Sequence, residues 1–217
     1  MTHRERILQA INHKEPDKIP VDCGSDRSTG ITAVAYNALK KYLNINNGET
    51  KIYDVVQQLA IPEKWYLELF QIDSVDLARF FAENTQEWKD WILPDGSPAK
   101  LPKWIDIQKR DKEWVCIDQD SDIIAKIPDS SYFFEQTIWP LYGIKSVNYN
   151  KLPNYMNKVM WGYMSDPLWR NAKKRNFFKS LNEKAKNAHE KSDYVIMLGF
   201  GGALLGWGQA LYGMEDF

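Results

Sequence analysis

Apolar positions recur along this chain with two different periods, and the change from one to the other marks its elements. Ile7, Leu8 and Ile11 form one stripe behind the capping box Thr2-x-x-Glu5, which predicts a short helix ending before Pro16. Ile19-Pro-Val-Asp-Cys23 is a short extended run, followed by the polar, glycine-flanked stretch Gly24-Ser-Asp-Arg-Ser-Thr-Gly30. Ile31, Val34, Ala35, Ala38, Leu39, Tyr42 and Leu43 then return at three- and four-residue spacing, which predicts an amphipathic helix. Strand, glycine-bearing loop and helix in that order make a βα unit. Pro62 suits a first helical position ahead of Trp65, Leu67, Leu69 and Phe70, and residues 72–78 alternate as a strand does.

Residues 82–130 change character. Pro94-Asp-Gly-Ser-Pro98 has turn chemistry, and Trp114-Val-Cys-Ile117 with Ile123-Ile-Ala-Lys-Ile127 flanks Asp118-Gln-Asp-Ser-Asp122 as an antiparallel hairpin would. Trp88, Trp91, Trp104 and Trp114 gather here. They read either as an aromatic ligand surface or, preferred, as the means by which a small β excursion buries area. Asp118, Asp120 and Asp122 imitate the start of a calcium loop but lack its central glycine and closing Glu, so they read as a turn. Beyond residue 150 the pattern is helical. A long helix is expected from about residue 166 to 190, with Leu168, Ala172, Phe178, Leu181, Ala185 and Ala188 as its stripe and Lys173, Lys174, Arg175 and Lys179 as a solvated face. Residues 194–198 are a near-continuous apolar run, the habit of a parallel strand covered on both faces, and Gly199-Phe-Gly-Gly202 separates it from a further helix.

Composition narrows the function classes. The chain has 217 residues, 28 Lys plus Arg against 29 Asp plus Glu, so no basic field invites nucleic acid. No apolar run approaches the roughly 18 residues of a membrane span, and the amphipathic opening does not resemble a secretory signal. The two cysteines, Cys23 and Cys116, have no CxxC or CxH partner and read as reduced thiols, which fits a cytoplasmic protein. The element order predicts an α/β protein: an incomplete (β/α)8 TIM-type barrel with an antiparallel β-hairpin excursion. Only about four strand-plus-helix units can be counted where a closed barrel has eight, so residues 1–217 are expected to be the N-terminal portion of a barrel domain, with 82–130 as an insertion.

The opening Arg4-Glu-Arg-Ile-Leu-Gln-Ala-Ile-Asn-His-Lys-Glu-Pro-Asp-Lys-Ile-Pro-Val21 resembles the start of the uroporphyrinogen decarboxylase superfamily, which includes corrinoid-dependent methyltransferases. Phe70-Gln-Ile-Asp73 is similar to a recurring F-G-x-D of that group, and Leu211-Tyr-Gly-Met-Glu-Asp-Phe217 resembles its mid-barrel segment. The resemblance implies a barrel enzyme acting on a small-molecule substrate, either a methyltransferase or a tetrapyrrole decarboxylase. Decarboxylases of the group carry two arginines after the first strand and an aspartate after F-G-x-D. Here Arg27 and Gly30 match the first arginine and the glycine, Ile31 stands at the second arginine, and Phe80 stands at the aspartate. The resemblance therefore implies methyl transfer to or from a cobalamin-carrying partner protein rather than decarboxylation. The third alternative is a non-catalytic remnant. The family's zinc-binding His-x-Cys and distant Cys have no counterpart among His3, His13, His189, Cys23 and Cys116, so any zinc is expected beyond residue 217 and no metal ligand is expected in this chain. Chemistry in such barrels sits at the C-terminal ends of strands. That rule selects three substrate-binding groups: Asp22, Asp26, Arg27 and Gly30; Asp73, Asp76 and Arg79; and Gly201 and Gly202, whose backbone N–H groups could face an anion or a corrin edge.

Overall fold

A computed structural model gives the fold and describes residues 1–77, 87–164, 172–199, 203–215 and 217. The protein is mixed α/β with small sheets, and no closed barrel forms among the described residues. It divides into two compact units, the first made of Met1–Tyr53, Leu59–Leu101 and Asp166–Gly199, the second of Asp54–Gln58, Pro102–Ser165 and Phe200–Phe217.

The first unit opens with helix α1 (His3–Ile11), started by the expected capping box: Thr2 Oγ1 accepts the Glu5 N–H, and the Glu5 carboxylate accepts the Thr2 N–H at 2.8 Å. Its apolar stripe is not what anchors it. Leu8 is 49% and Ile11 66% exposed, whereas Arg6 is buried. Charge pairing, described below, holds this helix instead.

Residues 19–23 form no strand. Pro20 removes a ladder donor and Ile19 stays exposed, while the Val21 backbone is fastened to Asp73. Its carbonyl accepts the Asp73 N–H at 2.7 Å, and its N–H donates to Asp73 Oδ2 at 2.8 Å.

Helix α2 (Ala33–Tyr42) is capped by Thr32 and buries Ala33, Tyr36 and Lys40, while Tyr42 of the expected stripe is exposed. Lys40 can be buried because its ammonium reaches Glu63 Oε2 at 2.8 Å, the oxygen that also accepts from Tyr36 and Trp65. Strand β1 (Ile52–Asp54) pairs with β2 (Leu59–Ala60). Helix α3 (Lys64–Leu69) begins two residues after Pro62, with Glu63 as its N-cap. Strand β3 (Ser74–Asp76) follows, and β4 (Trp88–Ile92) pairs with β5 (Pro98–Pro102) around the expected 94–98 turn.

The second unit carries a four-stranded sheet ordered β6 (Asp106–Arg110), β7 (Glu113–Ile117), β8 (Ile123–Ile127) and β9 (Glu135–Gln136), antiparallel throughout. The β7–β8 hairpin is the one its sequence predicts. Of the described part of segment 82–130, β4 and almost all of β5 belong to the first unit and β6 to β8 to the second. The tryptophans divide accordingly, Trp88 and Trp91 buried in the first unit and Trp104 and Trp114 half-buried in the second, so the four make no common aromatic surface within either unit. Helices α4 (Leu152–Lys158) and α5 (Met160–Tyr163) complete this stretch.

Helix α6 (Phe177–Lys191) returns to the first unit. Phe177 and Leu181 join Leu77 in a core cluster flanked by Ala172, Ala185 and Ile196, while Phe178 of the expected stripe lies exposed. Leu168 is outside the described residues. Strand β10 (Val195–Met197) pairs in parallel with β3, Val195 opposite Ser74 and Met197 opposite Asp76. Helix α7 (Leu204–Tyr212) belongs to the second unit, where Leu211 packs with Leu141 and Val159.

Candidate functional site

The β3–β10 pair gives the first unit a direction, and the expected site residues distribute over its two ends. Asp76 closes β3, half-buried, and Gly199 lies just past β10. The 22–30 loop comes to the same place. Cys23 and Gly24 line one recess with Asp76, and a Cβ built on Gly199 would lie 3.5 Å from Asp26 Oδ2, while Asp22 Oδ1 accepts from Ser74 Oγ, at the first residue of β3, at 2.6 Å. Two of the three expected strand ends therefore meet this loop. Arg79, Gly201 and Gly202 fall outside the described residues, as does Phe80.

The loop's own polar groups hold its shape. Asp22 Oδ2 accepts from Thr29 Oγ1 at 2.7 Å, and Asp26 caps the short 3-10 turn Arg27–Thr29. The Ser28 hydroxyl, at 2.6 Å, and then the Ser28 N–H hold the Asp26 carboxyl below its usual range. Gly24 is required twice over: its φ is +88°, and a Cβ there would meet Pro62 Cγ at 2.5 Å. Gly30 serves close packing, since a Cβ would meet Leu59 at 2.7 Å and the Tyr53 hydroxyl at 2.9 Å.

Beneath the loop, Cys23, Gly24, Tyr53, Pro62, Ser74 and Asp76 line a recess that admits little more than a water molecule. Cys23 Sγ lies 3.1 Å from the Tyr66 hydroxyl. Burial, reinforced by the Cys23 hydrogen bond, pushes the Tyr66 phenol above its ordinary range, so it stays neutral. This notch can orient a small polar group between a thiol, a hydroxyl and the Asp76 carboxylate. Neither Cys23 nor Tyr66 stood out in sequence, because nothing local announces a contact between residues 23 and 66.

Asp73 sits at the other end of β3, fully buried. Its carboxylate accepts from His3 Nδ1 at 2.8 Å, from the Val21 N–H at 2.8 Å and from Arg6 Nη1. Burial pushes this carboxyl up, but the three donors together outweigh it and hold it below its usual range. Arg6 also pairs with Asp17 at 2.7 Å and brings that carboxyl down to about 2. Arg4 works beside it: its guanidinium donates to the carbonyls of His189 at 3.0 Å and Ser192 at 2.7 Å, satisfying acceptors at the C-terminal end of α6. The Arg4-Glu-Arg6 opening thus does structural work, and Asp73 is committed to it.

In the second unit Asp118, Asp120 and Asp122 converge within 4.8 Å of one another. They form the turn expected of them, with Asp118 Oδ1 accepting the N–H groups of Asp120 and Asp122 at 2.9 Å. Lys158 Nζ lies 2.5–2.7 Å from a carboxylate oxygen of each. Desolvation pulls that ammonium down, yet the three carboxylates hold it above its usual range, so a cation already fills the centre of the cluster.

The zinc donors of a methyltransferase do not assemble here. His3 is taken by Asp73, His189 Nε2 faces Arg4 at 3.3 Å, Cys23 faces Tyr66, and Cys116 is buried in β7. No described helix is long and apolar enough to cross a membrane. No protein-family model, no curated protein and no solved structure matches this chain.

Proposed function

We propose that this chain is the N-terminal portion of a uroporphyrinogen decarboxylase-like barrel whose 22–30 loop and strand ends position the substrate of a corrinoid-linked methyl transfer. The observation that carries this reading is the approach of the 22–30 loop to the C-terminal ends of two parallel strands, through the recess that Cys23 and Gly24 share with Asp76 and through Asp26 beside Gly199. Parallel strands with functional loops at their C-terminal ends are the arrangement on which barrel enzymes build sites. In this reading Asp76 and Arg27 orient polar groups of the substrate, and Asp22, Asp26 and Gly30 hold the loop that carries Arg27. The corrinoid belongs to a partner protein. The histidines and cysteines among the described residues do not fit a zinc site, so this reading assigns them no metal role.

The reading is tested by titrating methylcobalamin into the purified chain and following the visible spectrum of the corrin. The expected result is a saturable spectral change, weakened about tenfold or more in Arg27→Ala, the cost of a charge-assisted hydrogen bond. An unchanged spectrum overturns it, and formation of coproporphyrinogen from uroporphyrinogen replaces it with decarboxylation.

A further inference from the structure

A cleft of about 300 Å³ opens in the first unit where α1 meets the start of β3, walled by His3, Arg6, Lys18, Gln71, Asp193 and Tyr194 among others. His3 is fixed there twice, by Asp73 at 2.8 Å and by stacking on the Tyr194 ring, centroids 4.6 Å apart. An ionised carboxylate only accepts, so the ring proton of neutral His3 sits on Nδ1. That leaves Nε2 with a lone pair and no hydrogen-bond partner among the described residues.

The cleft's charges differ in how far they are committed. Arg6 is consumed by Asp73 and Asp17. Lys18, in contrast, reaches only the neutral Gln71 side chain, and its ammonium meets no carboxylate among the described residues. The exposed Asp193 carboxylate has no partner among them either. One open cation, one open anion and a histidine ring whose second nitrogen has no hydrogen-bond partner among the described residues therefore line the same cleft.

We propose that this cleft binds a small carboxylic acid that also carries an amino or hydroxyl donor, its carboxylate on Lys18 Nζ and its donor on His3 Nε2. Asp193 favours the amino form by its charge. The site is separate from the 22–30 loop, and the proposal does not rest on the methyl-transfer reading.

Alanine, lactate and propionate are the probes, titrated into the full chain while amide and imidazole resonances are followed by NMR. Saturable shifts at His3 and Gln71 are expected with alanine or lactate, and which of the two binds tighter separates the amino from the hydroxy source. Propionate, lacking the donor, is expected to bind at least about tenfold more weakly, and Lys18→Met to lose about tenfold. Among the described residues the Lys18 ammonium bonds Gln71 and forms no ion pair, so the variant should keep its melting temperature, which is measured alongside. No saturable shift with any probe, equal affinity for propionate, or binding unchanged in Lys18→Met overturns the proposal.

Discussion

The guanidinium of Arg6 and the carboxylate of Asp73 form an ion pair that solvent scarcely reaches, with side-chain exposures of 7% and 0%. A buried pair of this kind contributes little against an apolar substitute, but removing Asp73 leaves His3 and the Val21 N–H without their acceptor and Arg6 with Asp17 alone. Asp73→Ala is therefore expected to cost about 3–5 kcal/mol of folding stability. Urea unfolding of the variant against the parent measures it, and a loss below about 1 kcal/mol would contradict the assignment.

Stability should fall in acid over a defined window. Asp17 has its folded pKa at about 2, below the ordinary 3.8, and Asp73 is also depressed. Between the two pKa values the unfolded chain binds more protons, so stability is full above about pH 4 and is lost as pH falls toward 2. Melting temperatures from pH 5 to 2 test this, and Asp17→Asn should flatten part of the slope. A parent protein with a level profile would refute it.

Lys158→Met removes the only cation shown among three converging carboxylates. The expected loss is about 1 kcal/mol, modest because the lysine is partly solvated. Salt supplies the discriminating measurement. Added sodium chloride screens the exposed repulsion and should recover stability in the variant while doing less for the parent. Equal responses would show that the cluster carries no strain.

Two glycines with similar backbones separate strain from collision. Gly24 has φ +88° with Pro62 in the way, whereas Gly96 has φ +84° and open space around it. Gly96→Ala should cost about 1 kcal/mol, the backbone penalty alone. Gly24→Ala should cost at least about 1 kcal/mol more, because Pro62 or the loop must move. Equal costs in thermal unfolding would remove Pro62 from the account.

Local structure was the legible part of this sequence. The Thr2 and Glu5 box, the 94–98 turn and the β7–β8 hairpin all rest on contacts within a few residues, and all formed as read. Faces were harder. In α1 and α6 the spacing of Leu8, Ile11 and Phe178 announced helix correctly but not orientation, because Arg6 and Asp73 in one case and the Leu77 cluster in the other decide which side turns inward. Pro20 shows a further limit: an apolar run that looked like a strand lacked a donor it needed. At the candidate site, Asp22, Asp26 and Asp76 were selected by an expected place after strands, although the run before Asp22 forms none, and the approach of Cys23 to Tyr66 is a long-range contact that no spacing encodes.

Arg4 reaches the Ser192 carbonyl across 188 residues of chain. A ribosome adding about 5–20 residues per second needs roughly 10–40 s to supply that partner after Arg4 emerges. Throughout that interval α1 has neither the Asp193–Tyr194 segment to rest on nor β10 beside β3, while the hairpins of the second unit can already close. The opening helix is thus secured in two stages, to Asp17 and Asp73 early and to the Ser192 carbonyl late, and nascent chains should become fully resistant to proteases near residue 11 only once the β10 segment has left the exit tunnel.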